Sequence, residues 1–245
     1  ARGQHANKLV DERSHVSSEM PGDATVLQSA RGSHISHSMS IPGNIVIKEN
    51  LTGEALTLTS TTGSITQEKD VTMRGPVNFN AAEAITKPAV VTQSLEDNIH
   101  MEAGGRIDNS HAGQILARFG AAHVTGSTID NERHDHRYRS VIEAQETFVT
   151  ATEEDVRNRG GLIQGHKFVQ VYAARNVEHV SFDNPEWRGH SGATISYAAE
   201  ILGGEGTDYS NGYGAVVYAG NGVNVYASTI GSNAHTYIQG EKFAK

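Results

Sequence analysis

Gly126-Ser127-Thr128-Ile129-Asp130-Asn131 joins a glycine turn, a short alternating run and an Asp-Asn pair. The same phrase returns as Gly105-Arg106-Ile107-Asp108-Asn109, as Gly161-Leu162-Ile163-Gln164-Gly165 and as Ala227-Ser228-Thr229-Ile230-Gly231-Ser232. A turn-strand-turn word that recurs along a chain marks stacked units, each burying its apolar side only against its neighbours. Such a chain is read as a solenoid before any catalytic residue is considered.

The flanking sequence extends that rhythm. Thr25-Val26-Leu27, Ile45-Val46-Ile47, Leu56-Thr57-Leu58, Val71-Thr72-Met73 and Val77-Asn78-Phe79 each alternate with period two, as short strands do. Gly43-Asn44, Thr52-Gly53, Thr62-Gly63 and Gly75-Pro76 punctuate them as turns. Strand-like triplets at Leu56–Leu58, Val77–Phe79, Ile99–Met101, Ala122–Val124 and Val141–Glu143 recur about every 21 residues, the length of one solenoid rung. A rung of that size holds three short strands, each pairing in parallel with its counterpart above. The fold class expected is therefore all-β, a right-handed parallel β-helix with rungs of about 21 residues.

Two longer-range similarities support repetition. Ala173-Ala174-Arg175-Asn176-Val177-Glu178 parallels Ala219-Gly220-Asn221-Gly222-Val223-Asn224, and Val124-Thr125-Gly126-Ser127-Thr128-Ile129 parallels Val225-Tyr226-Ala227-Ser228-Thr229-Ile230. Their offsets fit about two and about five rungs. Asp108-Asn109, Asp130-Asn131, Asp183-Asn184 and Asn233 sit at turns, where Asn and Asp bond local backbone and tolerate left-handed conformations; stacked asparagines would also form a ladder. The best helical candidate, Ser140 to Arg157, fits one face only loosely and reads instead as a strand followed by a polar loop. In domain terms, residues 1–22 are expected to be an irregular or capping segment and 23–245 a β-helix, interrupted by charged and aromatic insertions near 132–140 and 184–192.

Composition limits function. The hydrophobic fraction of 37% and aromatic fraction of 6% suit a narrow aliphatic core. A net charge of −8 with scattered signs leaves no basic stripe for a nucleic acid backbone, so no nucleic acid partner is expected. Cysteine is absent, which removes disulfides, thiolate metal sites and cysteine nucleophiles. The longest apolar runs, such as Ala215-Val216-Val217-Tyr218-Ala219, are too short for a transmembrane helix. Ala1-Arg2-Gly3-Gln4-His5 lacks an apolar signal core, so a secreted protein would have to be present here as a mature or excised piece.

Gly104-Gly105-Arg106-Ile107-Asp108-Asn109-Ser110, Gly126 to Asn131 and Arg157-Asn158-Arg159-Gly160-Gly161-Leu162-Ile163-Gln164-Gly165 resemble the repeats of filamentous haemagglutinins and contact-dependent inhibition exoproteins, exported by two-partner secretion. Ala173-Ala174-Arg175-Asn176-Val177 and Ala219-Gly220-Asn221-Gly222-Val223-Asn224-Val225 are similar to a recurring Ala-Gly-(Arg/Asn)-Asp/Asn-Val element of that family. The resemblance spans residues 43 to 240. It implies a long extracellular β-helical stalk that contacts host or neighbouring bacterial cells.

Candidate chemistry is sparse. His134-Asp135-His136 would place two imidazoles on one side of a strand, but the segment Glu132 to Arg139 reads as a solvated loop; Ser33-His34-Ile35-Ser36-His37 is weaker still. Glu153-Glu154-Asp155 offers carboxylates for glycoside hydrolysis, yet adjacent acids in one turn point apart. Arg175, Arg188, Asp183 and Glu186 would suit a lyase only if a lateral face gathered them. Gly203-Gly204-Glu205-Gly206 lacks the strand, lysine and helix of a phosphate loop. The aromatic group is richer: Tyr197, Tyr209, Tyr213, Tyr218, Tyr226 and Tyr237 follow Trp187, and tyrosines repeated by rung would form a platform for sugar rings. Trp187, Tyr209 and Tyr213, in polar loops, are the candidate glycan contacts.

The expected function is a non-catalytic, extracellular adhesin-like stalk contacting a cell-surface glycan or receptor, with no catalytic residues, metal or cofactor. Two alternatives stand beside it: a β-helical polysaccharide lyase or tailspike-like depolymerase, and a structural surface protein that self-associates through its solenoid ends.

Overall fold

The computed structural model describes residues 35–132, 139–178 and 193–203, with the shorter segments 16–17, 24–29, 207–208, 216–226, 230–231 and 237–240. Among them every regular element is a strand, and the strands stack in parallel into a β-solenoid, the expected fold class. The one antiparallel pair is Val16–Ser17 with Ala24–Ser29.

Each rung has three faces. The first carries very short strands: Asn44–Ile47, Ile65–Gln67, Ile85–Thr86, Ile107–Asp108, Ile129–Asp130, Val156–Arg157 and Val177–Glu178. The second, or leading, arm and the third, or trailing, arm are joined in Leu51–Ser60 and separate in the next two rungs, as Val71–Met73 and Val91–Ser94 on the leading arm and Val77–Ala81 and Ile99–Ala103 on the trailing arm. Farther along, the two arms fuse into single bent strands, Gln114–Gly126, Val141–Ala151, Leu162–Ala173, Ala193–Leu202 and Val216–Tyr226. Their register slips at the bend, between Ala117 and Ala121 and between Ala144 and Glu146. Relative to Val141–Ala151, two extra residues in Gln114–Gly126 and one in Leu162–Ala173 turn the strand at that point without ending it.

The alternation read from the sequence is what builds the core. In Leu51–Ser60, Leu56 and Leu58 are buried while Thr57 and Thr59 are partly exposed, and Val77–Ala81 repeats the pattern one rung on. On the short face Ile45, Ile65, Ile85, Ile107, Ile129, Val156 and Val177 form one fully buried column. On the trailing arm Leu58, Phe79, Met101, Val124, Val149, Val171 and Ile201 form another. Each such side chain taken out of water contributes about 1.5–3 kcal/mol. The columns are continuous because parallel pairing places like on like at every step.

A third interior column changes chemistry along the axis. Two positions after each short-face Ile or Val stand Ile47, Gln67, Lys87, Asn109, Asn131 and Asn158, all essentially buried. The Asn109 amide Nδ2 donates to Asn131 Oδ1 and the Asn131 Nδ2 donates to Asn158 Oδ1, each at 2.9 Å. The expected asparagine ladder is therefore present, inside the solenoid. It also feeds the backbone, since Asn109 donates to Gly113 O and Val141 O, and Asn131 to Leu162 O. These bonds give the amides buried acceptors at the corner where the chain leaves the short face, Gly113 O accepting from the Val141 N–H as well.

Register corrects three details of the sequence reading. Ala122 pairs with Thr147, not Val141, so the fifth triplet of the trailing arm is Thr147–Val149; Val141 stacks on Gln114 in the leading arm. Val124 reaches Val225 through Val149, Val171 and Ile201, which makes that separation four rungs and not five. Ala219 stacks through Ser196 on Gly165, so it is not the counterpart of Ala173. One physical reason covers all three: rung length varies.

Asn109 and Asn131 are 22 residues apart, but Asn131 and Asn158 are 27 apart, and Glu178 pairs with Asp208 across 30. The surplus falls between Asn131 and Val141 and between Glu178 and Ala193, the stretches that hold the insertions expected near 132–140 and 184–192. Residues 133–138 and 184–192 lie outside the described residues. The base of the first excursion is pinned: Ser140 Oγ donates to Glu132 O, the Glu132 N–H donates to Ser110 Oγ, and the Arg139 guanidinium donates to Gly160 O and Gly161 O.

Candidate contact face

Outward positions of the trailing arm form ordered rows. Thr57, Asn78, His100, His123, Phe148, Gln170 and Glu200 stack in that order, and Thr59, Asn80, Glu102, Thr125, Thr150 and Tyr172 run beside them. The alternation that sends Ile99 and Met101 inward sends His100 and Glu102 outward, so the rows follow directly from strand geometry.

Aromatic rings occupy the middle of the first row. The His123 imidazole lies 4.7 Å from the Phe148 ring at an interplanar angle of 5°, a stacked pair. His100 approaches His123 at 6.0 Å, and Phe168 approaches Phe148 at 5.8 Å, both tilted. Together the four rings make a strip crossing successive rungs, with Tyr172, 40% exposed, stacked on Thr150 in the neighbouring row. Burial, reinforced by His100, holds the His123 pKa below the usual imidazole value. At neutral pH its ring is therefore uncharged, and it joins Phe148 in an apolar, polarisable surface.

Beside the strip a groove crosses three rungs. Thr59, Ser60 and Thr61 line it from one, Asn80, Ala81 and Ala82 from the next, and Glu102, Ala103 and Gly104 from the third. Small residues form part of its wall, and a Cβ on Gly104 would stand 2.2 Å from the Ala82 carbonyl oxygen. His100 Nε2 lies 3.4 Å from Glu102 Oε2, which connects the groove to the ring strip. The lining holds a single ionisable group, the Glu102 carboxylate, where hydrolysis of a glycosidic bond uses a pair.

Several ion pairs among the described residues link neighbouring rungs. On the short face Asp130 is paired with Arg106 at 3.2 Å and Arg157 at 3.4 Å, while Arg159 bridges Glu132 at 3.3 Å and Glu178 at 3.0 Å. Burial raises the Asp130 and Glu132 pKa values, against the pull of those arginines. Lys87 is fully buried and donates to Val90 O, Gln114 O and Asn109 Oδ1, so all three ammonium hydrogens have acceptors. Desolvation nevertheless pushes its pKa down to about 7, with Asp108 and Asp70 pulling the other way.

The residues singled out from sequence fall variously. Trp187, Tyr209 and Tyr213 lie outside the described residues, as do His134-Asp135-His136, Arg188, Asp183 and Glu186. Glu153 and Glu154 are exposed, Glu154 accepting from Thr128 Oγ1, while Asp155 is buried and accepts from the Asn176 N–H. Arg175 is exposed, its N–H donating to Glu154 O. Among the described residues no group of three or more His, Asp or Glu side chains is placed to hold a metal ion, and no helix is long and apolar enough to cross a membrane. The ring strip was missed in the sequence, although its signal was there: His100 and His123 are the middle residues of aligned triplets. Misplacing the next triplet at Val141 hid Phe148.

Comparison with known proteins finds no matching family model, no matching curated protein and no matching solved structure.

Proposed function

We propose that the chain is a non-catalytic, adhesin-like β-helical stalk that acts outside the cell or at a bacterial cell surface and makes contact with a cell-surface glycan or receptor. The observation that carries this reading is the strip of His100, His123, Phe148 and Phe168 rings on an outer sheet face. Rings fixed by a β-ladder lose little freedom when a partner stacks on them, so contact costs little ordering entropy. The repeat resemblance supports the same reading and adds export by two-partner secretion to it.

The test is attachment of the purified chain to bacterial and host cells and to a glycan array, with His123→Ser and Phe148→Ser as variants. Binding that falls in both variants while the circular dichroism spectrum stays unchanged supports the reading. Release of unsaturated or shortened saccharides from a polysaccharide substrate would sink it in favour of a lyase or depolymerase.

A further inference from the structure

We infer that the groove lined by Thr59, Asn80 and Glu102 is a binding site for a neutral polysaccharide chain laid along the solenoid axis. The inference rests on the glycan-contact reading above and adds to it a place, a direction and a ligand class.

Repetition supplies the direction. The groove is lined by the same three positions in three successive rungs, because Thr59 pairs with Asn80 and Asn80 with Glu102. Adjacent strands lie about 4.8 Å apart, so a hydroxyl, an amide and a carboxylate are offered at a regular spacing. That interval is close to the advance of an extended saccharide per ring. A ligand with its own repeat along the axis meets a hydrogen-bonding group at each step, which a compact ligand would not.

The chemistry of the row supplies the class. Sugar hydroxyls donate and accept, and the row does both: the Asn80 amide carries both functions, the Thr59 hydroxyl likewise, and Glu102 accepts. Thr59 and Asn80 make no side-chain hydrogen bond among the described residues, so both are available to a ligand. Small walls at Ala81, Ala82, Ala103 and Gly104 let a ring approach the backbone, and the imidazole of His100 stands against Glu102 at the groove edge as a stacking surface. The only charge in the lining is negative, with no lysine or arginine to balance the carboxylates of a uronic acid or sialic acid polymer. Placing such a chain beside Glu102 would bring like charges together. A neutral chain avoids that cost.

The test is calorimetric titration of the full chain with three neutral hexasaccharides, from cellulose, a β-1,3-glucan and mannan, and with hexagalacturonate as the acidic probe. At least one neutral hexamer should bind, the acidic one at least about tenfold more weakly, and Asn80→Ala and Glu102→Ala should each weaken the neutral hexamer about tenfold. Both side chains point outward, so these variants keep the core; circular dichroism and a urea midpoint confirm that each is folded. Preference for hexagalacturonate, no binding of any neutral hexamer, or neutral binding untouched by both groove variants would each overturn the inference. If cells are still bound while no neutral hexamer is, the groove assignment fails and the display reading stands. If a hexamer binds through Asn80 while no cell is bound, the display reading fails and the groove assignment stands.

Discussion

The side-chain amides of Asn109 and Asn131, 22 residues apart in sequence and both without solvent exposure, are joined by a 2.9 Å hydrogen bond inside the solenoid. A buried amide is stabilising only when its partners are present, and each member of this ladder depends on the next. The ladder thus couples rungs that the aliphatic columns only pack together.

Asn131→Leu should destabilise the chain by about 2–4 kcal/mol, since it deletes the donor to Asn158 Oδ1 and Leu162 O and puts an apolar side chain where the Asn109 Nδ2 found an acceptor. Urea denaturation followed by circular dichroism measures it. A change within about 0.5 kcal/mol would mean the ladder contributes no more than a surface contact.

Gly161→Ala should be comparably damaging although no hydrogen-bonding side chain is lost. A Cβ there would lie 2.0 Å from Asn131 O, 2.4 Å from Asn158 Oδ1 and 2.7 Å from Asn131 Nδ2. The backbone or the ladder must move. Because both changes strike one network, the double variant with Asn131→Leu should lose clearly less than the sum of the single losses, and strict additivity would contradict that.

Lys87 makes stability depend on pH in a stated direction. Its folded pKa is depressed to about 7, whereas an unfolded lysine titrates near roughly 10.4. Between those values the unfolded chain binds the proton that the folded chain has released, so stability rises with pH across that window and levels off outside it. Urea midpoints from pH 6 to pH 10 should show the rise in the native chain, and Lys87→Met should flatten it. A rise that survives the substitution would assign it to other groups.

Ala112→Gly should stabilise the fold by about 1 kcal/mol. Ala112 has φ of 68° and follows His111 at 55°, at the corner between the short face and the leading arm. A left-handed conformation there costs a residue with a Cβ more than it costs glycine, which outweighs the extra freedom glycine has when unfolded. Thermal denaturation is the measurement, and a lowered midpoint would show that the Ala112 methyl packs usefully.

Much of the architecture is legible in the chain before folding. Ile45, Ile65, Ile107 and Ile129 recur after glycine turns and Ile85 after an alanine-rich one, and the strand residues around them alternate between core and surface, because a strand exposes its two faces to different media. Asn109 and Asn131 are visible as repeated turn residues. Their burial is not, since Asn in a surface Asx-turn has the same local sequence as Asn in a ladder.

By itself the sequence determined the parallel β-solenoid and the aliphatic filling of its rungs, since each follows from local alternation and turn chemistry. The triplets from Leu56 to Val124 are aligned correctly by spacing alone, and past them only the tertiary structure decided which residues lie on one another. Stacking depends on how many residues each corner absorbs, and a step of 27 in place of 22 shifts every later neighbour while leaving the local pattern unchanged. The pairing of His123 with Phe148 and the seating of Lys87 over Asn109 are both consequences of that register. They are contacts across rungs, set by parallel pairing over long stretches of chain, and no local pattern encodes them.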